Sequence, residues 1–144
     1  METILFYNEN ELNGYLSNYY LVPIAVDGIV YRSSEHYYQS QKTEDPDFAK
    51  RIRDAETCDE AKNLGNSEEC VVRSDWKTYR NMAMMRILIE KFSQNEDLRQ
   101  MLLSTGDAVL VENSTHDYYW GRGADGSGFN MLGRLLMATR DSMR

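Results

Sequence analysis

At 144 residues the chain is long enough for one hydrophobic core, and 42% hydrophobic with 11% aromatic content is the composition of a globular protein. A formal charge of −7 argues against broad attraction to a nucleic-acid backbone, although holding one nucleotide needs only a few cations in one place. No apolar run reaches membrane-spanning length, the first residues lack the layout of an export signal, and only Cys58 and Cys70 occur, so a cytoplasmic protein without disulfides or a membrane partner is expected.

In chain order, residues 4–7, 21–26 and 29–32 read as short strands, with Asp27-Gly28 marking a hairpin between the last two. Ser33 or Ser34 caps a helix over 35–42, and Asp45-Pro46 opens another through 48–55. Thr57-x-x-Glu60 is a capping box for a helix that Gly65 stops. The longest helix starts at Ser74 or Asp75 and runs to about Phe92, and another starts at Asn95 and ends before Gly106. Residues 108–111 form an apolar run of strand length, expected to be buried on both sides, and residues 130–140 close the chain as a helix. No repeats or linkers interrupt this order. The expected fold is α+β, a helix-rich single domain over 1–144 with a small antiparallel sheet.

Three stretches carry chemistry. The helix over 35–42 contains no Leu, Ile or Val, and Glu35, Tyr38, Gln39 and Lys42 share one face. A helix polar all round is either exposed or lines a polar cavity. The long helix places Trp76, Arg80, Ala83 and Ile87 on one stripe. Either Trp76 is buried with Arg80 reaching to solvent, or Trp76 faces a ring and Arg80 a phosphate. The third stretch, residues 112–130, combines Asp117, the aromatic run Tyr118-Tyr119-Trp120 and glycines at 121, 123, 126 and 128. Gly121-x-Gly123-x-x-Gly126 matches a dinucleotide fingerprint formally, but the preceding strand ends too early and too little chain follows for that fold. The loop still suits a wall against a flat ligand, with Asn130 capping the last helix and its N-terminal N–H groups available to phosphate. Ser17-Asn18-Tyr19-Tyr20 reads only as a turn with short hydrogen-bonding side chains. His36 and His116 are the only imidazoles, and with two distant cysteines they give no metal-ligand spacing, so neither metal nor cofactor is expected.

Together, Ser17-Asn18-Tyr19, the block from Ser34-Glu35-His36 to Lys42, Ala61-Lys62-x-Leu64-Gly65, Asp75-Trp76 with Arg80 and Met84, Lys91-Phe92, Leu103-x-Thr105-Gly106, Glu112, Asp117-x-x-Trp120-Gly121-x-Gly123, and Asn130-x-Leu132-Gly133 through Arg140 resemble the NADAR, or YbiA-like, family. The resemblance covers nearly the whole chain, departing mildly at Tyr19, where phenylalanine is commoner, and Ser40, where alanine is. It implies an N-glycosidase that hydrolyses the bond between a ribose anomeric carbon and nitrogen. The implied substrate is a small ribosyl or ADP-ribosyl compound: a phosphoribosylamino-pyrimidine intermediate of riboflavin synthesis, or ADP-ribose on guanine, including a modified base in nucleic acid.

The resemblance also implies Glu35 as the principal catalytic carboxylate and Asp117 as a second acidic residue of the catalytic site, with the acid and base roles open between them. Trp76 and Trp120 would flank base and sugar, and Ser17, Asn18, Gln39 and Asn130 would orient hydroxyls and phosphate. Lys42, Arg80 and Arg122 are phosphate candidates, and His36, Glu112, Gly121 and Gly123 complete the expected substrate contacts. Such chemistry builds positive charge at the anomeric carbon, which a carboxylate stabilises. The alternative is a module that binds ADP-ribose or a nucleotide without cleaving it, and that module has no need of two carboxylates beside the sugar.

Overall fold

The computed structural model describes residues 2–144 and contains six α-helices and four short strands. The fold is α+β and helix-rich. Its residues cluster into two compact units, Leu21–Lys91 and the described residues up to Tyr20 together with Phe92–Arg144.

In the first unit, β2 (Ile24–Val26) and β3 (Ile29–Tyr31) form the expected antiparallel hairpin. Asp27 and Gly28 both take positive φ, 53° and 81°, the pairing a two-residue turn between twisted strands requires. Helix α1 spans Ser34–Ser40, and Ser33 is its cap, accepting from the His36 N–H. Helix α2 (Pro46–Arg53) has Asp45 as cap and proline at its start. Helix α3 (Cys58–Gly65) is capped by Thr57, whose Oγ1 accepts from the Glu60 N–H at 3.1 Å. The Glu60 carboxylate reaches back one residue further than a capping box requires, to the Glu56 N–H. Each such cap stabilises its helix by about 1 kcal/mol. Phe48, Ile52, Ala55, Ala61 and Cys70 form an apolar cluster with Leu64 against it. Helix α1 packs on α2, α3 and β3, so all its residues from Ser34 to Ser40 are buried. An exposed α1 is thereby excluded.

The long helix α4 (Trp76–Gln94) begins one or two residues later than its capping residues suggest. Its start is pinned to the end of α1: the Arg73 N–H donates to the Lys42 carbonyl at 2.7 Å, and Thr43 bridges Val72.

The second unit is built on a pairing the sequence does not announce. Strands β1 (Thr3–Phe6) and β4 (Val109–Glu112) run parallel, Thr3 opposite Val109 through Phe6 opposite Glu112. Parallel strands need a long crossover, and here the whole first unit lies between them in sequence. Only Leu110 of β4 is fully buried, so burial on both sides was an over-reading of four apolar letters. A 3₁₀ turn at Gly14–Leu16 precedes Ser17. Helix α5 (Glu96–Ser104) leads into β4, and α6 (Met131–Ser142) packs on it. Arg140, buried, donates from Nη1 to Thr105 Oγ1 and the Ala108 carbonyl, both at 2.9 Å, which ties α6 to the turn before β4. Among the described residues no helix is long and apolar enough to cross a membrane.

Candidate active site

Glu35 sits in the first turn of α1, where unpaired backbone N–H groups favour negative charge. Only 8% of it is exposed, so its charge is stabilised by neighbours more than by water. One neighbour is Gln39, a turn later, whose Nε2 donates to Glu35 Oε2 at 2.7 Å. Another is Lys42. Burial pushes its ammonium below the ordinary lysine range, and the Glu35 carboxylate partly offsets that by favouring the charged form. Lys42 Nζ donates to Asn66 Oδ1 at 2.7 Å, just past the end of α3. Glu35 and Gln39 share a face one helical turn apart, as the spacing predicts, but α1 ends at Ser40, two residues before the expected end, so Lys42 lies in the turn beyond it and reaches Glu35 through its charge. Asn66 was missed. Its signal was weak: an asparagine following the glycine that ends a helix.

His36 is one step round the helix and does a different job. It is fully buried, with Nε2 2.9 Å from the Ala55 carbonyl and Nδ1 2.7 Å from Ser33 Oγ. A carbonyl only accepts, so Nε2 carries the hydrogen and Nδ1 accepts from the Ser33 hydroxyl. Burial lowers the ring's pKa, which keeps it neutral in this arrangement. The Cys58 thiol donates to the same Ser33 Oγ. Both ring nitrogens are engaged with the protein, so the expected substrate contact by His36 is corrected to a structural role.

Trp76, half-buried at the start of α4, lies with ring centroids 5.1 Å from Tyr38 and 6.3 Å from Tyr79. The Arg73 guanidinium stacks 3.8 Å over the Tyr79 ring. Arg80 is half-buried one turn on, while Ala83 and Ile87 of the same stripe are buried.

In the second unit, the loop after β4 is organised by its own short side chains. Ser114 Oγ accepts from the N–H groups of His116 and Asp117. Asp117 Oδ1 accepts from those of Tyr119 and Trp120, at 2.9 and 2.7 Å. Tyr119 meets Trp120 edge-on at 4.9 Å, and both rings are half-buried. Gly123 takes φ +73° with the Tyr118 ring where a Cβ would be, and Gly121 is enclosed by Ser114, Asp117 and the Glu112 carboxylate. Arg122 is exposed, and its N–H donates to the Glu112 carbonyl. Ser17 is buried, its Oγ accepting from the Tyr19 N–H, and Asn18 beside it is half-buried.

Asn130 departs from expectation. It occupies the position before α6 in left-handed backbone (φ 51°), but its side chain does not cap the helix. Its Oδ1 accepts from the Glu112 N–H and its Nδ2 donates to the Leu110 carbonyl, both at 2.9 Å, so the amide braces β4 like a short strand. The N–H groups of Met131 and Leu132 donate to the Tyr119 and Trp120 carbonyls. Neither the Asn130 amide nor those two N–H groups are available to a phosphate. Among the described residues, no three His, Cys, Asp or Glu side chains lie close enough to hold a metal ion.

Residues 5–144 match the NADAR domain family. The chain is 38% identical over 143 residues to N-glycosidase YbiA of Escherichia coli (strain K12), covering 99% of this chain and 89% of that one. N-glycosidase Npun_R5314 of Nostoc punctiforme is 37% identical, with 99% and 93% covered. Riboflavin biosynthesis protein VVA0006 of Vibrio vulnificus is 41% identical over 99% of this chain, which spans only 39% of that longer protein. The NMR structure of E. coli YbiA superposes with a TM-score of 0.91 at 37% identity, over 99% of this chain and 84% of that one. A family match across both units, relatives of similar length and a like fold agree: the chain belongs to the NADAR domain family.

Proposed function

We propose that the protein is an N-glycosidase that hydrolyses a ribose–nitrogen bond without a metal ion, in the cytoplasm, with Glu35 as the acting carboxylate. The single observation that carries this reading is the buried Glu35 carboxylate, anchored by Gln39 and neighboured by the Lys42 ammonium. As the C–N bond breaks, the electron pair leaves with nitrogen and the anomeric carbon becomes cationic. A fixed carboxylate in a low-dielectric setting stabilises that cation more than it stabilises the neutral substrate. Water then adds its oxygen to the anomeric carbon, one proton passes to the leaving nitrogen, and free sugar results.

Trp76, backed by Tyr38 and Tyr79, offers a flat face to the base, and Arg80 and Lys42 offer cations to phosphate. The family resemblance adds Ser17, Asn18, Trp120, Arg122 and the backbone at Gly121 and Gly123 as proposed substrate contacts. Asp117 is the proposed second catalytic carboxylate, and Glu112 a further substrate contact. The curated names of relatives support the reaction class, and the riboflavin name of the Vibrio protein supports a ribosylamino-pyrimidine. The net charge of −7 also favours a small metabolite over long nucleic acid.

The test is side-by-side incubation with a phosphoribosylamino-pyrimidine and with an oligonucleotide bearing ADP-ribosylated guanine, chelator present, with released sugar quantified by chromatography. Release from the pyrimidine substrate supports the full reading. Release from the oligonucleotide alone transfers the activity to ADP-ribosylation reversal. Binding without release from either establishes a non-catalytic reader and ends the proposal.

A further inference from the structure

The sequence block Ala61-Lys62-x-Leu64-Gly65 has no part in the chemistry above, yet the end of α3 is where the polar side chains of α1 find their support. A Cβ built on Gly65 would lie 2.1 Å from Gln39 Oε1 and 3.0 Å from its Cδ. That is far inside van der Waals contact, so any side chain at position 65 would displace the Gln39 amide. The same amide donates to Glu35 Oε2 from its other end. Gln39 Oε1 is buried and accepts no hydrogen bond, so the amide can keep Nε2 on Glu35 only because the bare Gly65 backbone leaves room for its oxygen. The next residue, Asn66, accepts from Lys42 Nζ. Lys42 thus lies at the C-terminal end of α3, where the helix's last carbonyls favour a cation.

We propose that Gly65 and Asn66 are positioning residues for the α1 site: Gly65 sets the Glu35 carboxylate through Gln39, and Asn66 sets the Lys42 ammonium. The mechanical logic is that α1 alone does not fix these side chains. Gln39 has three rotatable side-chain torsions before its amide, and a one-turn contact to Glu35 is a single soft bond. A second helix that leaves no room for the wrong rotamer turns that bond into a fixed geometry. The amide then holds the carboxylate at Oε2. This inference rests on Glu35 being the acting carboxylate, but its structural core can be read without turnover.

The experiment uses the full chain labelled with ¹³C at glutamate side-chain carboxyls, the Glu35 resonance being assigned by its loss in Glu35→Gln. Its titration is followed in the parent protein, Gly65→Ala, Gln39→Ala and the double variant. A hydrogen bond to the charged form lowers a carboxyl's titration, so Gly65→Ala should move the Glu35 midpoint to higher pH. Gln39→Ala should move it equally, and the double variant no further, because both changes remove one interaction. In the release assay, kcat should fall about tenfold or more in each, with KM little changed.

Asn66→Ala should leave Glu35 near its parent midpoint and shift the Lys42 ammonium, followed by ¹⁵N, to lower pH. A folded Gly65→Ala protein with an unmoved Glu35 titration overturns the proposal, as does a double variant whose shift is the sum of the singles. If Gly65→Ala does not fold, Gln39→Ala decides: an unmoved Glu35 resonance there overturns it. A parent protein that releases no sugar but shows the expected titrations refutes the N-glycosidase reading and leaves the positioning intact.

Discussion

The α1 face and the glycine loop are both rich in polar side chains, but they bond to different things. On α1 and the turn after it, Glu35, Gln39 and Lys42 are held by side chains: Gln39 bonds Glu35, and Asn66 bonds Lys42. In the loop, Ser114, Asp117 and Asn130 are held by main-chain groups: the N–H groups of residues 116, 117, 119 and 120, and the Leu110 carbonyl and Glu112 N–H of β4. Side chains bonded to backbone build the shape of a segment and have little freedom left for a ligand. Side chains bonded to other side chains set charge in place without shaping the backbone around them. Two regions equally rich in polar side chains thus differ in construction: one sets side chains against each other, the other spends them on backbone that presents aromatic rings.

The contrast can be broken first at the joint between α6 and β4. A Cβ on Gly133 would lie 2.0 Å from the Leu110 carbonyl oxygen and 2.4 Å from Asn130 Nδ2. Helix propensity alone favours alanine there by about 1 kcal/mol. The close backbone approach reverses the sign, and Gly133→Ala should cost about 3 kcal/mol, read as a fall in urea midpoint. A neutral or stabilised Gly133→Ala protein would show that the loop scaffold is not held as described.

Next in size is Asn130→Ala, which leaves the Leu110 carbonyl and Glu112 N–H without their amide partner. A loss of about 1–3 kcal/mol is expected, with ligand binding affected no more than stability. A selective loss of phosphate affinity in a protein of unchanged stability would restore the ligand role that the structure denies to Asn130.

The last effect, a slope with pH rather than a single loss, concerns Lys91, which is fully buried. Burial pushes its amine down to about 7, with the Cys58 thiol a minor opposing influence. Unfolded, the same amine titrates near the ordinary lysine value. Between about pH 7 and the ordinary lysine range the unfolded chain therefore binds more protons, and stability rises with pH there by about 1.4 kcal/mol per unit. Below pH 7 the penalty is fully in place and the slope vanishes. Lys91→Met should flatten the slope between pH 7 and 9 in urea titrations, and an unchanged slope would assign it to other groups.

Local features were legible in the sequence because local rules fix them. Ser33, Asp45 and Thr57 cap the helices predicted for them, and Asp27-Gly28 turns the hairpin. The shared face of Glu35 and Gln39 follows from helical periodicity, whereas Lys42, expected on it, lies past the helix end because α1 stops at Ser40. The parallel pairing of residues 3–6 with 109–112 did not, since its partners are a hundred positions apart and parallel strands leave no turn signal. His36 and Asn130 misled for one reason: a residue's type reveals what it can bond to, but its partners, Ala55 and β4, arrive from elsewhere in the chain. Asn66 and Gly65 were overlooked because their contribution is a fitting surface for another helix's side chains.

The most direct test of the central claim is a paired measurement of turnover and binding in Glu35→Gln, a substitution that keeps size and removes charge. The account predicts that sugar release falls about 10²–10⁴-fold, while substrate affinity and urea midpoint stay near those of the parent protein. Release at the parent rate by folded Glu35→Gln would contradict it.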